Sequence, residues 1–149
     1  MREILFKAKR KDNGEWIEGS LIDLDIDSGY CYIVPPYKQA STLPISFLIT
    51  DGMKLVDPET LCQFTGLCDK NGNKIWENDI LKTRSDEYAQ VKFGFYGTGF
   101  ASGDYNQGFY AAFPEDFYYR HELGYWCKET YVRGNIFDNP ELLQEESNE

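Results

Sequence analysis

The chain has 149 residues, enough for one domain or one domain with a small satellite, and for a core that needs no disulfide or metal to hold it. Its formal net charge of -10, from 25 acidic against 15 basic residues, works against direct nucleic-acid binding, which relies on Lys and Arg displacing counterions from phosphates. With 11 Tyr, 10 Phe and 13 Gly, the composition favours strands and tight turns over helices.

The opening MREILFKAKR sets basic residues on both sides of a short apolar piece, which is not the pattern of a secretory signal, and no apolar run approaches a bilayer span. A cytoplasmic protein with no membrane partner is expected. In that compartment Cys31, Cys62, Cys68 and Cys127 are expected as free thiols, and their spacing fits no zinc pattern.

Along the chain, ILFKAKRKDNGEWIEGSLI places Asn13-Gly14 between two partly alternating runs, so a hairpin is expected with strands near Ile4 to Lys9 and Glu15 to Ile22. A second hairpin follows, turning at Ser28-Gly29 and ending at Pro35-Pro36. The stretch from Tyr37 to Leu61 is less periodic and reads as a connector with one or two short strands. From Gln63 the pattern is strand-like again, with a turn at Asn71-Gly72 that Asp69 or Asn71 can brace, and a strand at Ile80 to Thr83. Next comes AQVKFGFY, a strand whose Val91, Phe93 and Phe95 share one face. FPEDFYYRHELG predicts a helical turn or two that opens at Pro114 and stops at Gly124. The end of the chain predicts a strand at Thr130 to Arg133, then a short helix capped by Asn139 with Pro140 in its first turn, then an acidic tail.

Three constellations bear on chemistry. Asp23, Asp25 and Asp27 alternate on a predicted strand, which would project three carboxylates from one face; the calcium-loop template nevertheless fails, with Ser28 and Val34 where Gly and Glu are needed. His121 is the single histidine, so a Cys-His nucleophile would need a cysteine brought beside it, and no signature for one is present. No catalytic, cofactor or metal residues are assigned. The aromatic run from Tyr105 to Trp126 is the remaining feature, and Tyr105, Tyr110, Phe117, Tyr118 and Tyr119 are its candidates for a protein-contact surface.

The segments FKAKRKDNGEWIEGSL, VDPETLCQFTGLCDKNGNKIWENDIL and VRGNIFDNPELL together resemble the YopX family of small phage and prophage proteins. The resemblance implies a mainly β fold with an SH3-like small barrel in the C-terminal part and short helices only, and no established activity. It marks Thr65, Gly66, Asp69, Asn71, Gly72, Glu77, Asp79, Gly134, Asn135 and Pro140 as motif residues with structural roles. Where the family pattern has Glu-Gly-Asp, this chain has Glu77-Asn78-Asp79, and Asn tolerates the left-handed backbone that glycine would imply.

The organisation expected is an N-terminal β-hairpin region over residues 1–58, an SH3-like barrel over 59–143 and an acidic tail over 144–149. The function expected is that of a phage or prophage accessory protein in the host bacterial cell, not an enzyme, using no cofactor and contacting an unidentified host or phage protein, with homo-oligomerisation left open. The alternative is an acidic DNA mimic that occupies a host nucleic-acid-binding enzyme.

Overall fold

The computed structural model describes residues 2–37, 42–97, 103–114, 118 and 120–144. They fall into two compact units, Met1–Phe64 and Thr65–Glu149.

In the first unit the Asn13-Gly14 pair turns the chain as expected: Gly14 N–H donates to Arg10 O at 2.9 Å, and Asn13 Oδ1 accepts the Glu15 N–H at 2.9 Å. Strand β1 (Phe6–Lys9) thereby pairs antiparallel with β2 (Trp16–Asp25), from Phe6↔Gly19 to Lys9↔Trp16. The second hairpin joins β2 to β3 (Tyr30–Val34), and β4 (Lys54–Val56) adds to β3. Strand β5 (Cys62–Cys68) starts against β1, giving the order β4-β3-β2-β1-β5. Ala8, Cys31, Ile33 and Val56 are sealed between these strands, with Phe6, Ile17 and Leu21 around them.

The connector differs from its expectation in part. Among its described residues one short strand, β4, is present, but residues before it form α1 (Ile45–Phe47), which continues with wider turns over Leu48–Gly52. Pro44, at φ −71°, sets the chain just ahead of the first turn, and the Thr50 hydroxyl donates back to Ser46 O at 2.8 Å.

The second unit takes the latter half of β5, with β6 (Lys74–Trp76) beside it, and a four-stranded antiparallel sheet. Its order is β10-β7-β8-β9, with β7 at Asp79–Thr83, β8 at Tyr88–Gly97, β9 at Tyr105–Ala112 and β10 at Thr130–Asn135. The mainly β class with short helices therefore holds. Among the described residues no ladder joins β9 to β10, so hydrogen bonding leaves this sheet open rather than drawing a closed barrel. Its core is Ile75, Leu81, Val91, Leu123 and Cys127, extended by Ala89, Ala111 and Trp126.

Strand β7 reaches β8 only from Tyr88 to Gln90. Beyond that point β8 and β9 continue as a two-stranded ribbon, in unbroken register from Val91↔Ala111 to Gly97↔Tyr105.

Two helix expectations are corrected. Gly124 lies inside α2 (Leu123–Trp126) instead of stopping a helix that begins at Pro114, because the turn starts only after Glu122 has bridged to Tyr110 of β9; residues 115–117 and 119 lie outside the described residues. Asn139 precedes the single turn Pro140–Leu143 but gives it no side-chain cap, since its Oδ1 accepts the Asn135 N–H at 3.2 Å instead. No helix among the described residues is long and apolar enough to cross a membrane.

Candidate functional site

The motif residues are braces. Asp69, 6% exposed, accepts the N–H groups of Asn71 and Asn73, each at 2.9 Å, and so shapes the turn in which Gly72 takes φ +86°. Its other oxygen accepts the Val132 N–H of β10 at 2.8 Å, which ties that turn to the sheet. Burial alone would raise the Asp69 pKa, but the N–H donors of Val132, Asn73 and Asn71 outweigh it and hold the carboxyl below its ordinary value. Thr65 donates its hydroxyl to Ile75 O at 2.7 Å. Asp79, 2% exposed, accepts the Trp76 N–H at 2.8 Å and closes the turn that contains Glu77.

Asn78 is the hub that sequence reasoning saw only as a tolerated substitution. It takes φ +72°, donates its N–H to Val91 O at 2.8 Å, accepts the Ile136 N–H at 3.1 Å and takes an amide proton from Gln90 on its side chain at 3.1 Å. At the other end of the motif, Asn135 Oδ1 accepts the N–H groups of Phe137 and Asp138, each at 2.9 Å. Gly134 is required beside it, because a Cβ there would lie 2.3 Å from Asn139 Oδ1. Pro140 is exposed and opens the turn that follows.

The candidate contact residues do not share one surface. Tyr105 is 65% exposed on the outer part of β9. Tyr110 is half-buried on the opposite face of the same strand, where its ring meets Tyr96 at 5.5 Å and lies beside Gly94. Tyr118 packs on Trp126 and Phe113 with ring centres 4.7 and 4.8 Å away, and its hydroxyl donates to Glu87. That bond, helped by burial, pushes its pKa up to about 12. Phe117 and Tyr119 lie outside the described residues.

What the sequence did not single out is the face on which Tyr105 stands. Residues facing each other across an antiparallel pair point the same way, so Phe93, Phe95, Tyr105 and Phe109 form one stripe, which leaves the core at Val91 and runs out along the ribbon. Phe93 and Phe109 meet edge to face at 5.0 Å, while Phe93 and Phe95 remain 53% and 70% exposed. The alternation of AQVKFGFY put Val91, Phe93 and Phe95 on one face; that no layer of the described residues covers its outer part is a tertiary fact.

The three-carboxylate face is not formed. The pairing of β2 shifts between Asp23 and Asp25, Asp27 has left the strand for the turn Ile26–Ser28, and Asp23 Oδ1 accepts the Ile26 N–H at 3.0 Å. Among the described residues no three His, Cys, Asp or Glu side chains gather as a metal site. A cleft of about 480 Å³ in the first unit is lined by Lys11, Asp27, Asp57 and Glu59; Asp57 is occupied in accepting the Glu59 N–H at 3.0 Å.

A mainly β protein of two units, with a long motif spent on turns and a two-stranded ribbon continuing one sheet, is the class that this fold and these residues define. The chain belongs to the YopX family, whose model, described as YopX protein, matches residues 5–144. The curated proteins contain no match. Among solved structures, the chain is similar to protein EF1440 from Enterococcus faecalis, at 21% identity and a TM-score of 0.49, over 96% of this chain and 99% of that one.

Proposed function

We propose that this chain is a phage or prophage accessory protein that acts without catalysis, by binding another protein through the aromatic face of the β8–β9 ribbon. The observation that carries the reading is the exposure of Phe93, Phe95 and Tyr105 side by side on a ribbon with few charges. Aromatic side chains supply large contact area at low cost in rotamer entropy, and are enriched among the residues that dominate interface energies. The brace at Asn78 belongs to the same reading, since its N–H holds Val91 at the base of the ribbon.

The test is affinity capture from phage-infected cells with the wild-type chain and with Phe95→Ser/Tyr105→Ser. The wild type is expected to retain a partner that the double variant loses. Equal recovery by both, or no partner above background, would sink the reading.

A second reading rests on the net charge of -10, which suits occupation of a basic, DNA-binding surface on a host enzyme. It predicts binding that weakens with salt and is displaced by duplex DNA, whereas aromatic docking resists both.

A further inference from the structure

Among the described residues the outer edge of β9 is open beyond its base, and its chemistry fits one partner. Ala111 donates its N–H outward to His121 O at 2.9 Å, and the bridge between Tyr110 and Glu122 covers the base of the strand. Backbone groups alternate along a strand, so Phe109, Gln107 and Tyr105 also turn their N–H groups away from β8. Among the described residues, no hydrogen bond reaches the outward groups of Gln107 and Tyr105. On the other side of the ribbon, Val91 O is taken by Asn78 and the turn Pro140–Leu143 lies against β8. The β9 side is therefore the accessible one.

Open edges are ordinarily blunted by Lys, Pro or inward charges. This one is not: YNQGFYAA, from Tyr105 to Ala112, has no charge and no proline, and in β8 Lys92 is the lone charge. A protein of net charge -10 repels its own copies over most of its surface, but not along a strand without charge.

The strand is also self-complementary. We propose that two copies of this chain join edge to edge along β9, antiparallel about a twofold axis at Gln107. Gln107 then faces its own counterpart, and Tyr105 of each copy faces Phe109 of the other. Isologous pairing of this kind closes on itself and does not propagate. It forms up to six new backbone hydrogen bonds, two in each of the three facing pairs, and two aromatic cross-strand pairs. The aromatic stripes of the two ribbons become one surface, so the inference rests on the reading of the ribbon as a contact element and makes that element bivalent.

The test is sedimentation equilibrium of the purified full-length chain at moderate and low salt. The wild type is expected to be dimeric, with association strengthened by salt as the repulsion between acidic copies is screened. Gln107 is exposed, so Gln107→Lys and Gln107→Glu are expected to keep the wild-type melting temperature, and each places like charges across the axis. Each variant alone is expected to weaken the dimer by about tenfold or more, and their equimolar mixture to restore it. A monomeric wild type, or a dimer indifferent to both substitutions, would overturn the proposal. A wild-type monomer that instead binds an extended peptide would assign the edge to a foreign strand. Because no partner is present, this result is independent of the capture experiment with the Phe95 and Tyr105 variant.

Discussion

The Asp69 carboxylate accepts the backbone N–H of Val132 at 2.8 Å, across 63 residues of chain. The same carboxylate fixes a turn and pins a strand, and removing it leaves three part-buried backbone N–H donors without their acceptor. Asp69→Ala is therefore expected to cost about 3 kcal/mol in urea unfolding followed by tryptophan fluorescence. A loss below about 0.5 kcal/mol, the size of an ordinary surface change, would show that the brace is dispensable.

Asp69 also sets an acid limit. Its folded pKa lies below its unfolded value because the N–H donors outweigh burial, so its contribution is complete above the unfolded carboxylate pKa of about 3.9 and is lost as pH falls through the folded pKa. Stability should thus fall with decreasing pH in the acid range, and Asp69→Asn should show a shallower slope there. Parallel curves for the two proteins would refute the assignment.

At the alkaline end, Tyr118 behaves in the opposite sense. Its folded pKa, pushed up to about 12 by the bond to Glu87 and by burial, exceeds the unfolded value of about 10. Its contribution is full below the unfolded pKa and disappears as pH rises through the folded one. Ultraviolet titration is expected to reveal a late-ionising tyrosine that is missing in Tyr118→Phe.

Gly134 and Asn139 form a size-matched pair. A Cβ at residue 134 would lie 2.3 Å from Asn139 Oδ1, so Gly134→Ala is expected to destabilise by about 2 kcal/mol. Recovery of at least half of that loss in Gly134→Ala/Asn139→Gly, relative to Asn139→Gly alone, would confirm the cause. An additive double variant would refute it.

Asn78 permits a test of backbone against side chain. At φ +72° a β-branched residue is strained, so Asn78→Val is expected to cost about 2 kcal/mol, whereas Asn78→Gly trades the Gln90 bond for backbone relief and stays within about 1 kcal/mol. Thermal melts of the three proteins decide it, and equal losses would place the weight on the side chain.

Hairpins were the most legible part of the sequence, because Asn13-Gly14 and Asn71-Gly72 state their turn chemistry locally. The left-handed position of Asn78 was legible for the same reason. The partner of Asp69 was not, since nothing near residue 69 encodes Val132. Nor was the division of the aromatic run: alternation separates Tyr105 from Tyr110, but only packing shows that Tyr118 lies against Trp126 while Phe95 stands in solvent. The winding of residues 45–52 was missed because a helix this short has too few residues to display a period.

Gly94 and Gly108 face each other in mid-ribbon, and the Tyr110 ring lies beside Gly94 while it meets Tyr96 across the strands. Two opposed glycines would ordinarily be the limp point of a two-stranded arm. The tyrosines act as a splint on one side, in the manner of aromatic cover over strand glycines. A binding event on the other side then begins from an arm already stiffened, and forfeits less chain entropy than a loose hairpin would.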